Sequence, residues 1–122
     1  MSYQHYQSAS ATVTALSDVG IFEVQGCERL AIDIAVATAA LTGFVVQGKV
    51  HPNSAFVNYF SAAADYTSPA GLVVDASGDL TTLGVGNTGW LVLLVDGLHS
   101  VKIRASSAGS ATVTLLAAAG GR

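Results

Sequence analysis

Charge is the scarcest property of this sequence. Only 11% of the 122 residues are charged, against roughly 25% in a typical soluble domain. The five cations, Arg29, Lys49, Lys102, Arg104 and Arg122, form no basic stripe, and the formal net charge is −3. Neutralising phosphates needs clustered lysine and arginine, so no nucleic-acid partner is expected. Cysteine occurs once, as Cys27. A single thiol makes no intrachain disulfide and no cysteine zinc site, and it fits synthesis in a reducing cytoplasm. No apolar run approaches the ~20 residues that span a bilayer. The longest strongly apolar stretch, 89–95, ends at Asp96. The opening MSYQHYQSAS has neither a basic n-region nor an apolar h-region, so neither a secretory signal nor a membrane partner is expected.

Small and apolar residues are abundant instead. The apolar fraction is 51% and the mean hydropathy +0.52. A small domain this poor in charge has little to keep it soluble, which points to a surface covered by a partner. Abundant alanine also inflates such a count harmlessly.

One pattern occurs twice. Residues 20–34 read GIFEVQGCERLAIDI, and residues 88–105 read TGWLVLLVDGLHSVKIRA. Aligned on Gly26 and Gly97, Phe22 meets Leu93, Val24 meets Val95, Leu30 meets Val101 and Ile32 meets Ile103. Each copy reads as strand, glycine turn, strand, and two such units suggest the halves of a sheet sandwich. Alternation places Ile21, Glu23 and Gln25 on one face and Phe22 and Val24 on the other.

Further strands are expected at 11–16, 42–50 (with a bulge at Gly48), 56–60, 72–74 and 80–85. Turns or loops are expected at 17–20, 35–40, 51–54 and 61–71. Strands at 90–95, 101–105 and 111–116 read as an antiparallel meander. The fold class is therefore all-β, an antiparallel β-sandwich, Ig-like or jelly-roll-like, with essentially no long helix. A single sandwich domain is expected over 10–122. Residues 1–9 read as an N-terminal arm whose residues 1–8 are removable without loss of fold.

No chemistry-bearing constellation stands out. His5, His51 and His99 lack metal-ligand spacing, so no metal is expected. Asp75 and Asp79 sit in ASGD-type turn chemistry and lack the remaining ligands of a calcium loop. No serine occupies a G-x-S-x-G elbow. GVGNTG at 84–89 has no following lysine or helix to hold a phosphate. Neither a cofactor nor an enzymatic activity is expected. Trp90 reads as a core anchor. Tyr59 and Tyr66 are better placed to stack on a sugar, as a glycan-binding tail module requires. Contacts with a partner are expected from 2–8 and 58–69, both polar and aromatic and outside the repeat, through Tyr3, His5, Tyr6, Tyr59 and Tyr66.

Residues 89–117, GWLVLLVDGLHSVKIRASSAGSATVTLLA, resemble the C-terminal half of a family of small β-sandwich structural proteins of tailed bacteriophages. The shared order is an aromatic-start strand, Gly-Leu, a Val/Ile-Arg-Ala-Ser strand, a glycine turn and a Thr-Val-Thr strand. The stretch 42–60 is similar to the family's middle. The resemblance implies a virion protein, most simply a capsid decoration or cement protein on the capsid surface. It implies the major capsid protein as partner, or a tail protein, and a homotrimer as the assembly.

Overall fold

Alternating apolar and polar residues dictate strands, and strands make up most of the chain described. The computed structural model describes residues 4–58, 73–74, 80–81 and 88–121. The strands are β1 (Gln4–Val13), β2 (Ser17–Glu23), β3 (Arg29–Ala37), β4 (Leu41–Lys49), β5 (Val57–Asn58), β6 (Val73–Val74), β7 (Leu80–Thr81), β8 (Thr88–Leu94), β9 (Ser100–Ser107) and β10 (Ala111–Gly120). Sheet A has the order β1-β10-β3-β8 and sheet B the order β2-β9-β4-β5, while β6 and β7 pair separately. All pairings are antiparallel. This is the expected antiparallel sandwich, with no helix among the described residues.

The inward positions follow the period of two. Leu30, Ile32, Ile34 and Val36 of β3 share one core with Phe22 of β2, Val24 just after it, and Val101, Ile103 and Ala105 of β9. Most of these side chains have no measurable exposure. Each buried branched or aromatic side chain contributes about 1.5–3 kcal/mol by leaving water.

The repeat builds something other than the expected hairpins. Within each copy the two strands lie in opposite sheets: β2 in B and β3 in A, β8 in A and β9 in B. Each turn is thus an arch across the core. The copies pair with each other, β2 with β9 and β3 with β8. The arches are also locked reciprocally. Val24 N–H donates to the His99 carbonyl at 3.1 Å, and Val95 N–H donates to the Glu28 carbonyl at 2.9 Å. Inside the arches, Cys27 N–H donates to Val24 and Leu98 N–H to Val95, both at 2.9 Å. Gly26 and Gly97 hold φ of 80° and 91°, the left-handed region that glycine enters most cheaply. The equivalence extends to the third strands. Sheet A reads β1-β10-β3-β8 and sheet B, reversed, β5-β4-β9-β2, so β2, β3 and β4 exchange with β8, β9 and β10.

Several boundaries differ from expectation. The meander at the C-terminal end is absent, because β8, β9 and β10 alternate between sheets and never pair with one another. β1 begins at Gln4, inside the stretch read as an arm, and pairs with β10 from Gln4↔Gly120 to Val13↔Ala111. Removing residues 1–8 would therefore strip the first half of an edge strand. Residues 17–20 belong to β2, and 35–37 continue β3. The turn after β3 is carried by Thr38, a β-branched residue at φ 74°. The bulge in β4 falls between Leu41 and Gly43. Gly48 instead admits the Leu98 side chain, whose Cδ1 would lie 3.1 Å from an added Cβ.

Candidate functional site

Both sheets expose apolar side chains, Tyr6, Leu94 and Leu116 on sheet A and Ile21 and Val57 on sheet B, and they differ in charge. On sheet A, register sets Tyr6, Ala118, Ala31 and Val92 in one row and Ser8, Leu116 and Asp33 in the next. Thr12 and Thr112 hydroxyls lie 3.4 Å apart, and those of Ser10 and Thr114 3.5 Å. Arg29 begins β3 on the same side. This face exposes Tyr6 by 73%, Leu94 by 65% and Leu116 by 54%. An open groove crosses it, lined by Tyr6, Ser8, Ala31, Asp33, Leu116 and Ala118.

Sheet B gathers three of the five cations. The Lys49 and Lys102 ammonium groups sit 4.8 and 4.5 Å from the centre of the Phe56 ring, close enough for cation–π attraction. Arg104 Nε donates to Asp18 at 2.9 Å, and Lys102 Nζ lies 3.5 Å from the same carboxylate. Alternation explains the grouping: Lys102 and Arg104 are two apart on β9, and Gln47 and Lys49 share the outward side of β4.

His5 and Tyr6 are exposed at the start of β1. Tyr3, Tyr59 and Tyr66, the calcium-like loop at Asp75 and Asp79, and the 84–87 part of GVGNTG lie outside the described residues. For Trp90 the structure gives only a backbone position in β8. The described candidates thus gather on one edge of sheet A. The sequence reading passed over Phe56 with its lysines and over Arg29, Asp33 and Leu116. Phe56 precedes β5 and meets its lysines only across sheet B, while Arg29, Asp33 and Leu116 are isolated outward residues that the pairing register of sheet A brings together.

Among the described residues no three His, Cys, Asp or Glu side chains gather to hold a metal. His51 Nδ1 accepts a hydrogen bond from Asn53 N–H at 3.0 Å. His99 Nδ1 and Ser100 Oγ are 3.1 Å apart, but Ser100 is 2% exposed and closed to a substrate. No described helix is long and apolar enough to cross a membrane.

The fold and its two faces define an all-β sandwich, and beside the two arches its described surface holds a polar cleft lined by Gln25, His51, Asp96 and His99. No protein-family model and no curated protein match the sequence. Among solved structures, the SPBc2 prophage-derived protein YomS is similar at TM-score 0.60 and 15% identity, over 97% of this chain and 95% of that one. The PBSX exported protein XepA is similar at TM-score 0.57 and 14% identity; the chain is covered to 95% and spans 38% of that protein. A subunit described under Bacillus endospore appendages that form disulfide-linked pili is similar at TM-score 0.50 and 8% identity, over 97% of this chain and 86% of that one. The chain shares the fold of two phage-derived proteins.

Proposed function

We propose that this chain is a non-enzymatic structural protein of a tailed-bacteriophage particle and, within that class, a capsid decoration protein that binds the major capsid lattice. The observation that carries this reading is the outer face of sheet A. Tyr6, Leu94 and Leu116 stand exposed there, among serine and threonine side chains, Arg29 and Asp33, on a chain with few charges, and exposed apolar side chains on one sheet face suit contact with another protein. The near full-length likeness to a prophage-derived protein supports a phage setting. Tyr6 on that face, and its neighbour His5 on the opposite side of β1, are the described candidates for lattice contact. The second reading, attachment to a tail or fibre, is favoured by the same fold in pilus-forming appendages.

Electron microscopy of particles labelled with gold-tagged antibody to the chain tests both. Label over the heads is the expected result. Label confined to tails selects the second reading, and unlabelled particles overturn both.

A further inference from the structure

At the end of the sandwich where the two arches turn, we infer a binding site for a neutral saccharide unit, in the cleft lined by Gln25, His51, Asp96 and His99. The site goes beyond the proposed particle role. It uses none of the residues on the outer face of sheet A and none of the tyrosines expected to stack on a sugar.

The cleft measures about 620 Å³, within the ~300–1,000 Å³ of sites that hold small molecules. Its walls are the two arches and the turn that follows β4. Both imidazoles are fixed before any ligand arrives. His99 joins the second arch to its surroundings: its N–H donates to the Lys49 carbonyl at 2.8 Å, and its carbonyl accepts from Val24 N–H at 3.1 Å. Its Nδ1 lies 3.1 Å from the Oγ of buried Ser100. His51 is held by its own turn. Its N–H donates to Ser54 Oγ at 3.2 Å, and its carbonyl accepts from Ser54 N–H at 3.0 Å. Its Nδ1 accepts from Asn53 N–H at 3.0 Å. Lys49 Nζ donates to the Pro52 carbonyl at 3.1 Å and pins the same turn to β4. Each ring keeps Nε2 for a ligand, and among the described residues neither Nε2 has a partner. Groups already in place spend less affinity on being ordered.

The hydrogen-bond polarity of the lining selects the ligand. Because His51 Nδ1 accepts a backbone N–H, the proton of the neutral ring lies on Nε2, which is therefore a donor. A metal at that nitrogen would need its lone pair, and no three metal-ligating side chains gather among the described residues. An anion is disfavoured too, since no described lysine or arginine lines the cleft and Asp96 contributes a carboxylate. The lining thus asks for an uncharged molecule whose groups donate and accept at once, as hydroxyls do. His51 donates, Asp96 accepts, and the exposed Gln25 amide does both. Beside them Val50, 68% exposed, Pro52 and Leu98 form an apolar flank, which suits the C–H face of a pyranose. A sugar ring carries both features in one molecule.

NMR titration of the isotope-labelled full chain tests the site. The probes are glucose, galactose, mannose and N-acetylglucosamine, each free and as its methyl glycoside. The methyl glycosides stand for a sugar within a chain, so the two arms separate a glycan from a free sugar as the source. At least one probe is expected to shift the backbone amides of Gly26, Gly97, His51, Asn53 and Ser54 together, saturating at millimolar concentration. His51→Ala and Gln25→Ala should each weaken that binding by about tenfold, as the loss of a ligand hydrogen bond does. His51→Gln, whose amide N–H stands in for Nε2–H, should stay within about threefold of the wild type. Both positions are exposed, and an unchanged spectrum away from the cleft confirms the fold of each variant; if one alanine variant does not fold, the other carries the test. Inorganic phosphate and calcium are expected to leave the same amides unmoved. Sugars that shift nothing, shifts confined to residues outside the cleft, binding indifferent to both alanine variants, or a cleft that answers phosphate or calcium and no sugar would each overturn the inference.

Discussion

Ala9 and Gly20 mark where the edges of the two sheets touch. A Cβ added to Gly20 would fall within the Ala9 methyl group, and neither β1 nor β2 can withdraw without losing its ladder to β10 or β9. Nearby, the Gln7 side chain ties the two edges: its Nε2 donates to the Glu23 carbonyl at 2.8 Å and its Oε1 accepts from Glu23 N–H at 3.0 Å. One amide thus does for two edge strands what a backbone rung does elsewhere, and fewer edge groups remain to recruit a foreign strand. Gly20→Ala is therefore expected to lower stability by about 1–3 kcal/mol through overpacking. Ala9→Gly in the same chain should return most of the loss, because the pair shares one contact. Urea unfolding of the two single variants and the double variant measures this. Additive losses would show that the two residues do not meet. Glycine at 20 was legible only as turn chemistry, since a steric demand from a residue eleven positions earlier leaves no mark on local sequence.

Alternation told each strand which side to bury, and it told nothing of which strand lies alongside. Phe22, Val24, Leu30 and Ile32 face the core in an arch as they would in a hairpin, so the pattern fits both. The repeat held the missing information, because its copies pair with each other, β2 with β9 and β3 with β8. The start of β1 was illegible for another reason. Its outward side chains meet solvent, and of its inward ones Gln7 is polar and ties to the β2 edge while Ala9 is small, at the margin of the core, so no strong apolar period develops. The arches themselves are open to test. A Cβ at Gly26 or at Gly97 would meet nothing within 4 Å, so substitution there costs backbone conformation alone. Gly26→Ala and Gly97→Ala are each expected to cost about 1–2 kcal/mol, as a left-handed φ does for an L-residue. The equivalence of the arches predicts nearly equal losses in urea midpoint. A loss at one arch and none at the other would show that only one depends on its glycine.

At the scale of the molecule, all the long ladders among the described residues join the first half of the chain to the second. β1 and β3 pair with β10, β3 with β8, and β2 and β4 with β9. Within the first 58 residues the pairing is limited to two rungs between β4 and β5. Among the described strands after them it is limited to two rungs between β6 and β7. Such short ladders are at best marginal alone in water, and the apolar face of each strand is covered only when the halves interleave. Fragments 1–58 and 59–122 should each be unfolded when separate, with circular dichroism lacking the sheet minimum. Mixed at equal concentration they should recover it, in a reaction whose rate rises with concentration because the nucleus is bimolecular. The same interleaving predicts slow folding of the intact chain, since loop closure precedes every stabilising contact. A fragment that forms a cooperative sheet by itself would show that one half is a sandwich in its own right. The exchange of β2, β3 and β4 with β8, β9 and β10 would then be a likeness of pattern without shared stability.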